Sequence, residues 1–133
     1  MIVKQKDVQT KLTKGLLDLI VLQLLESHPM HGYEIITTIR KSFGVYFGAS
    51  TIYPLLNEME KKKCIKSVWN TDNERPRKVY ALTNDGLGLL QYTAGSLEFI
   101  CKMIGTNKTN DITDIKQPSY LNPQEKKLYS SIS

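Results

Sequence analysis

The feature that most restricts the fold is a run of residues that is apolar on almost every side. Residues 16–26 read LLDLIVLQLLE, and only Asp18, Gln23 and Glu26 interrupt the hydrophobic side chains. A helix with this composition must be buried over most of its surface. Its 11 residues are too few to cross a bilayer, which needs about 20. The run therefore predicts the central helix of a small domain.

A turn and a second helix are predicted directly after this run. Pro29 lies in the turn and stops the first helix. The second helix is predicted over residues 31–43, with His31 capping or packing at its start and Gly44 as its C-terminal cap. Four side chains recur on one face of this helix at helical spacing: Tyr33, Ile36, Ile39 and Phe43.

A third helix, predicted over residues 49–65, has two different sides. Its apolar side repeats at the i, i+3, i+4, i+7 spacing of a buried helix face: Ile52, Leu55, Leu56 and Met59. Its opposite side is polar, aromatic and basic: Ser50, Tyr53, Pro54, Asn57 and Lys61. Such a face suits a helix that lies in a DNA major groove. A surface helix whose tyrosine packs sideways on a neighbour fits the same pattern.

Two short strands are predicted after the third helix, over residues 66–70 and 78–82. The polar segment TDNERPR between them is typical of a turn. Its tip holds three basic residues: Arg75, Arg77 and Lys78. Three helices followed by a hairpin predict a winged helix-turn-helix domain over residues 1–82, mainly α with a small β-hairpin wing. The predicted fold class is α+β. In a winged helix the basic tip of the hairpin lies near phosphates or a minor groove.

A long helix is predicted over residues 83–105, with Thr83 as its N-cap. Its apolar stripe is longer than the small domain can cover, so a second copy of the chain is the simplest partner. Folding back over its own core is the alternative. The predicted dimer interface consists of Leu87, Leu90, Ala94, Leu97, Ile100, Cys101 and Ile104. Residues 106–133 are predicted to be a polar, mobile tail, with residues 121–132 as one marginal helix at most.

Charge is distributed unevenly along the chain. Residues 1–80 hold 13 Lys and Arg against 8 Asp and Glu, whereas residues 81–133 hold 5 of each. The net charge of +5 therefore lies entirely in the part with the two-sided helix, which favours double-stranded DNA as a partner. The basic segment at residues 1–14 predicts either a short helix or a flexible arm that touches phosphates.

Other functional classes receive little support. The sequence has no nucleophile elbow or phosphate-binding glycine loop, so neither an enzyme nor a cofactor is predicted. Two cysteines are too few for a disulfide framework, and the N-terminus lacks a signal peptide, so we expect a cytoplasmic protein with no membrane segment. His28 and His31 with Cys64 give a weak hint of a metal sensor, but no metal site is predicted because zinc needs three or four ligands. A winged helix that binds proteins instead of DNA is the other alternative.

Four segments, in this order, resemble the PadR family of transcriptional regulators: GLLDLIVLQLLE, PMHGYEI, STIYPLLNEME and RPRKVYALTNDG. The resemblance covers Gly15 to about Leu90 and implies a winged helix with C-terminal helices that dimerise. It also implies a homodimer on an inverted-repeat operator, usually acting as a repressor and in some relatives responding to a small molecule. The implied DNA contacts are Ser50, Thr51, Tyr53, Pro54 and Asn57, with Tyr33 and Lys61 nearby and the wing at Arg75 and Arg77. Some relatives bind flat aromatic drugs through a tryptophan on the dimerisation helix. Here the only tryptophan, Trp69, is on a predicted wing strand.

Overall fold

The computed structural model describes residues 4–72 and 74–105. Within these ranges the fold is mainly helical with a small antiparallel sheet, which confirms the predicted class. The elements are α1 (Gln5–Gly15), α2 (Leu17–Ser27), β1 (Met30–His31), α3 (Gly32–Phe43), α4 (Ala49–Lys61), β2 (Ile65–Asn70), β3 (Arg77–Leu82) and α5 (Asn84–Met103). The tail and marginal helix predicted within residues 106–133 lie outside the described residues.

The helix α2 lies at the centre of the core, as its composition predicts. Seven of its 11 residues are buried, and Val21 and Leu22 have no exposed surface. Burying a side chain of this size stabilises the fold by about 1.5–3 kcal/mol before entropy is counted. The basic segment before α2 forms the helix α1 from Gln5 onward. A short helix was one of the two alternatives predicted for this segment.

The helix α3 begins at Gly32, one residue later than predicted, because His31 is its N-cap. The backbone N–H of Glu34 donates to Nδ1 of His31 at 3.3 Å, which satisfies one of the unpaired donors at a helix start. At the other end Gly44 adopts a φ of 70°, and this confirms the predicted glycine cap.

The predicted apolar face of α3 needs a correction. Ile35, Ile36 and Ile39 are buried, whereas Tyr33 is 68% exposed. The buried stripe is centred on Ile35 and Ile39, which are four residues apart. Tyr33 is two residues before Ile35 and so lies about 200° away around the helix. The tyrosine therefore points away from the core.

The sheet has three strands in the order β1-β3-β2, where the sequence predicted a two-stranded hairpin. The extra strand β1 has only two residues and places Met30 opposite Tyr80. The ladder between β2 and β3 continues to the pair Asn70 and Arg77. Arg77 and Lys78 are therefore strand residues, and of the three basic residues predicted at the tip only Arg75 lies in the loop.

The start of α5 is bonded to the segment that follows α4. The Thr83 hydroxyl lies 2.7 Å from the carbonyl oxygen of Lys63 and 2.9 Å from that of Cys64, and its single hydrogen is shared between these two acceptors. The same oxygen accepts from the backbone N–H of Gly86 at 3.0 Å, so Thr83 is the N-cap that the sequence predicts. A Cβ on Gly86 would collide with the Cys64 carbonyl oxygen and lie 2.7 Å from Cδ1 of Leu82. Only a glycine fits this close approach.

The chain divides into two compact units at a boundary between Thr93 and Ala94, which are both residues of α5. In the first unit, Leu90 is fully buried. In the second unit Ala94 is buried, and four large apolar side chains near the helix end are exposed: Phe99, Ile100, Met103 and Ile104. Among the described residues, no helix is both long and apolar enough to cross a membrane. The domain boundary predicted after residue 82 stays a prediction.

Candidate nucleic-acid interface

The two-sided character of α4 is confirmed. Its apolar side attaches it to the core through three buried residues: Ile52, Leu56 and Met59. The side predicted to face DNA is exposed at Ser50, Tyr53, Pro54, Asn57 and Lys61, while Thr51 is half-buried. The helix ends at Lys61 instead of continuing to Ile65, because Lys63 takes a left-handed φ of 64° and the chain then enters β2. The exposed side of α4 is thus a polar and aromatic surface.

The exposed side of α4, the start of α3 and the hairpin border an open cleft of about 660 Å³, which we call the wing cleft. Six predicted DNA-binding residues line it: Tyr33, Tyr53, Asn57, Arg75, Arg77 and Lys78. Its other lining residues are His31, Gly32, Trp69, Pro76 and Tyr80. The remaining predicted residues, Ser50, Thr51, Pro54 and Lys61, lie on α4 outside this lining. The cleft combines aromatic rings, which can stack, with cationic groups, which attract phosphates.

Glu60 connects α4 to both strands of the hairpin. The hydroxyl of Ser67 donates to Oε2 of Glu60, and Nζ of Lys78 lies 3.8 Å from Oε1. The same Nζ lies 5.9 Å from the centre of the Trp69 ring, within the range of a cation–π contact. Lys78 is therefore engaged in the wall of the wing cleft, whereas Arg75 is exposed in the loop.

Tyr80 is a buried residue of the wing cleft, with 2% of its surface exposed. Burial is the main cause that raises the pKa of Tyr80 above its usual value of 10.0, and the nearby Glu60 carboxylate and Tyr53 phenol add to the shift. The Tyr80 side chain therefore remains a neutral phenol on the hairpin side of the cleft over the physiological pH range.

Two histidines lie close to the cleft or to the start of α3. Nε2 of His31 is 3.4 Å from Nη1 of Arg77, which brings the hairpin next to the N-terminus of α3.

The other residues considered as metal ligands have protein contacts. Nε2 of His28 is 3.5 Å from Oε2 of Glu34, and Cys64 is buried with its Sγ 3.8 Å from the carbonyl oxygen of Lys62. Within residues 4–72 and 74–105, no three His, Cys, Asp or Glu side chains are grouped as metal ligands.

Gly32, Glu60 and Trp69 are at or beside this site but were not predicted there from the sequence. Glu60 follows Tyr53 and Asn57 at helical spacing, so the periodicity of α4 contained a signal for it. Ile65, Ser67 and Trp69 are at every second position of β2, so their side chains lie on the same face of the sheet. Nothing in the local sequence indicates a role for Gly32, because the side chain that lies against it, Tyr53, belongs to another helix.

The predicted dimer interface is covered to different degrees. Leu90 and Ala94 are buried, and Leu87, Leu97 and Cys101 are half-buried. Ile100 and Ile104 are exposed. The stripe that the sequence predicts is therefore open mainly at the C-terminal end of α5.

Comparison with known proteins identifies the family. Residues 21–91 match the transcriptional regulator PadR-like family, which is more than half of the chain. A PadR family transcriptional regulator from Eggerthella lenta is 27% identical, with 79% of this chain and 92% of that chain covered and a TM-score of 0.70. A PadR family transcription regulator from Clostridium difficile is 30% identical, with coverages of 71% and 99% and a TM-score of 0.63. No match was found among curated proteins.

A transcriptional regulator from Clostridium thermocellum is similar to the same extent, with 26% identity, coverages of 74% and 99% and a TM-score of 0.66. The family match spans α3, α4 and the hairpin, which are the elements that border the wing cleft. Members of the family are transcription regulators and not enzymes, and this chain is accordingly a DNA-binding transcription regulator. The chain belongs to the PadR-like family of transcriptional regulators.

Proposed function

We propose that two copies of the chain bind an inverted-repeat operator and repress the promoter that contains it. The α4 helix of each copy enters a major groove, and the hairpin lies against the adjacent sugar-phosphate backbone. The observation that carries this proposal is the exposed polar and aromatic side of α4 beside a cleft with three cationic residues.

Base recognition is assigned to the exposed side of α4. An asparagine amide can pair with N6 and N7 of adenine in two hydrogen bonds, and Asn57 is exposed on this side. Tyr53, Pro54 and Thr51 offer apolar or hydroxyl contacts to neighbouring bases, while Ser50 and Lys61 at the helix ends are placed for phosphates. Tyr33, Arg75, Arg77 and Lys78 contact the backbone from the other walls of the cleft.

Dimerisation is assigned to the exposed apolar end of α5. Ile100 and Ile104 lie four residues apart on one helix face, and both are exposed. Large apolar side chains at this spacing suit packing against a second helix. Two-fold pairing would present two α4 helices to half-sites about 34 Å apart. A small-molecule inducer that favoured a different spacing of these helices would release the operator.

The operator is tested by selecting bound duplexes from a random pool. We expect the selected sites to have two-fold symmetry and half-sites one helical turn apart, about 34 Å. Tyr53→Ala and Asn57→Ala should each weaken operator binding by about 1–3 kcal/mol with nearly unchanged melting temperatures. Asn84→Ala is the matched control, because Asn84 is exposed at the start of α5 and outside the wing cleft. If either variant unfolds, the substituted residue belongs to the core and does not face DNA.

The hairpin arginines are expected to act through phosphates. Arg75→Ala and Arg77→Ala should weaken binding to all duplex sequences alike and lower the slope of log affinity against log salt by about one each. Arg40→Ala, an exposed arginine of α3 outside the cleft lining, should leave this slope unchanged. If the wild type binds no duplex even at low salt, the proposal is wrong and a protein-interaction module is favoured.

A further inference from the structure

We infer that Gly32 is a positioning residue for Tyr53. The first residue of α3 determines where the tyrosine of the neighbouring helix lies in the wing cleft, and thereby how α4 contacts DNA. The inference rests on the proposed function, because its consequence is a change in operator affinity.

The ring of Tyr53 lies directly against the backbone of Gly32. A Cβ added to Gly32 would be 2.6 Å from Cε1 and from Cζ of Tyr53, and 2.7 Å from its hydroxyl oxygen. Carbon atoms in favourable contact are about 3.5–4.0 Å apart. Any residue with a Cβ would therefore overlap the ring, and only glycine leaves the ring in its observed place.

The backbone of Gly32 does not itself require glycine. Within the described residues, the glycines with positive φ are Gly44 and Gly105, so Gly32 has a conformation that other residues adopt. Gly32 is also the first residue of a helix, and alanine is a better helix former than glycine. The absence of a side chain at Gly32 is consequently explained by the Tyr53 ring that lies against it and not by the path of the chain.

The contact fixes one side of the ring and leaves the other side open. Gly32 is buried, whereas Tyr53 is 39% exposed, and both residues line the wing cleft. A tyrosine side chain has two rotatable bonds that set the ring, so packing against the flat backbone of Gly32 restricts both of them. DNA then meets a phenol that is already ordered, which lowers the entropy lost on binding.

The collision caused by a Cβ falls on the side chain and not on the fold. All three nearest atoms belong to the far end of the Tyr53 side chain, which can rotate into the cleft. Gly32→Ala should therefore displace the ring while the helices α3 and α4 stay in place. This separates a positioning role from a purely structural one, because affinity and stability respond differently.

The experiment compares operator affinity and melting temperature in Gly32→Ala and wild type. We expect the affinity to fall about tenfold, within the range of coupling seen for residues in contact, and the melting temperature to change by less than about 4 °C. Gly88→Ala is the control, because a Cβ at Gly88 meets no atom within 4 Å; it should leave the affinity unchanged and the melting temperature equal to or slightly above that of wild type. An unchanged affinity in Gly32→Ala would overturn the inference.

A double-mutant cycle shows whether Gly32 acts through Tyr53. In a Tyr53→Ala background the ring is absent, so Gly32→Ala should change affinity by less than about twofold. An equal loss in both backgrounds would overturn the inference. If Gly32→Ala alone melts at a much lower temperature, the double variant should recover the wild-type value. If the melting temperature of the double variant stayed low, the Cβ would collide with something other than Tyr53, and the inference would be wrong.

A measurement without DNA separates this inference from the proposed function. In wild type, nuclear Overhauser contacts are expected between the Gly32 α-protons and the Tyr53 ring protons, and they should weaken in Gly32→Ala. Their absence in wild type would overturn the positioning role even if DNA binds. A wild type that shows these contacts but binds no duplex would contradict the proposed function and, with it, the effect on affinity.

Discussion

The helices α4 and α5 are both amphipathic, yet the chain leaves different surfaces of them uncovered. α4 buries its apolar side from Ile52 to Met59 and exposes its polar and aromatic side. α5 buries Leu90 in its first half and exposes Ile100 and Ile104 near its end. Both have a free surface, but the two surfaces have opposite chemistry.

Amphipathicity alone therefore does not identify the partner of a helix. An exposed polar and aromatic face next to arginines is suited to a charged polymer with flat bases, and it loses affinity as salt rises. An exposed apolar surface is suited to another apolar surface, and salt changes its affinity far less. The side that remains uncovered, and not the periodicity, distinguishes the two kinds of partner.

The largest expected effect concerns how the first half of α5 is attached. In Gly86→Ala the new methyl group would collide with the backbone carbonyl of Cys64, which cannot rotate away. We expect the free energy of unfolding to fall by about 4 kcal/mol, measured by urea denaturation. Gly88→Ala, two residues further on and with open space around it, should be neutral or slightly stabilising. Equal stability of the two variants would mean that α5 is not held at Gly86.

A smaller effect separates the two halves of α5. Leu90→Ala removes a side chain with 0% exposure and should lower the free energy of unfolding by about 3 kcal/mol. Ile104→Ala removes a side chain that is 71% exposed, so it should weaken association with little effect on the folding of each copy. Urea denaturation and mass by light scattering at matched concentration measure the two effects.

Val68→Ala is the control for the Ile104 change. Val68 is 67% exposed on the hairpin, so its replacement should leave the mass of the assembly unchanged. If Ile104→Ala kept the wild-type mass while Val68→Ala dissociated, the end of α5 would not be the apolar contact surface. The hairpin would then carry the protein contact.

The smallest effect concerns Tyr80, a residue of β3 that lines the wing cleft together with residues of α4. Because its pKa is raised in the folded protein, the unfolded chain loses the phenolic proton first as pH increases. The stabilisation is complete below about pH 10 and is lost as pH rises through the folded pKa. The wild type should therefore lose more stability than Tyr80→Phe between about pH 8 and about pH 10.5, by less than about 1 kcal/mol. Parallel pH profiles of the two proteins would contradict the shift.

Much of the fold follows from local patterns in the sequence. The apolar run at residues 16–26 determines the buried helix α2, and the spacing of Ile52, Leu56 and Met59 determines which side of α4 is covered. Gly44 and Thr83 mark helix ends because their conformation or hydroxyl satisfies the local backbone. These features depend on residues close together in the chain.

The rest depends on contacts between distant residues. β1 has two residues and exists because β3, almost fifty positions later, pairs with it. Beside the wing cleft, Glu60 of α4 contacts Ser67 of β2 and Lys78 of β3. The apolar stripe of α5 is visible in the sequence, but the sequence does not show that Leu90 is covered while Ile104 is open.

The imidazole that starts α3 also affects the chemistry of the neighbouring guanidinium. A neutral imidazole has one nitrogen that accepts a hydrogen bond and one that carries hydrogen. While Nδ1 of His31 accepts from Glu34, the tautomer has its hydrogen on Nε2, the atom 3.4 Å from Nη1 of Arg77. Two donors then face each other, so this contact uses none of the guanidinium hydrogens. In that tautomer the histidine orders a helix and leaves Arg77 able to bind a phosphodiester oxygen.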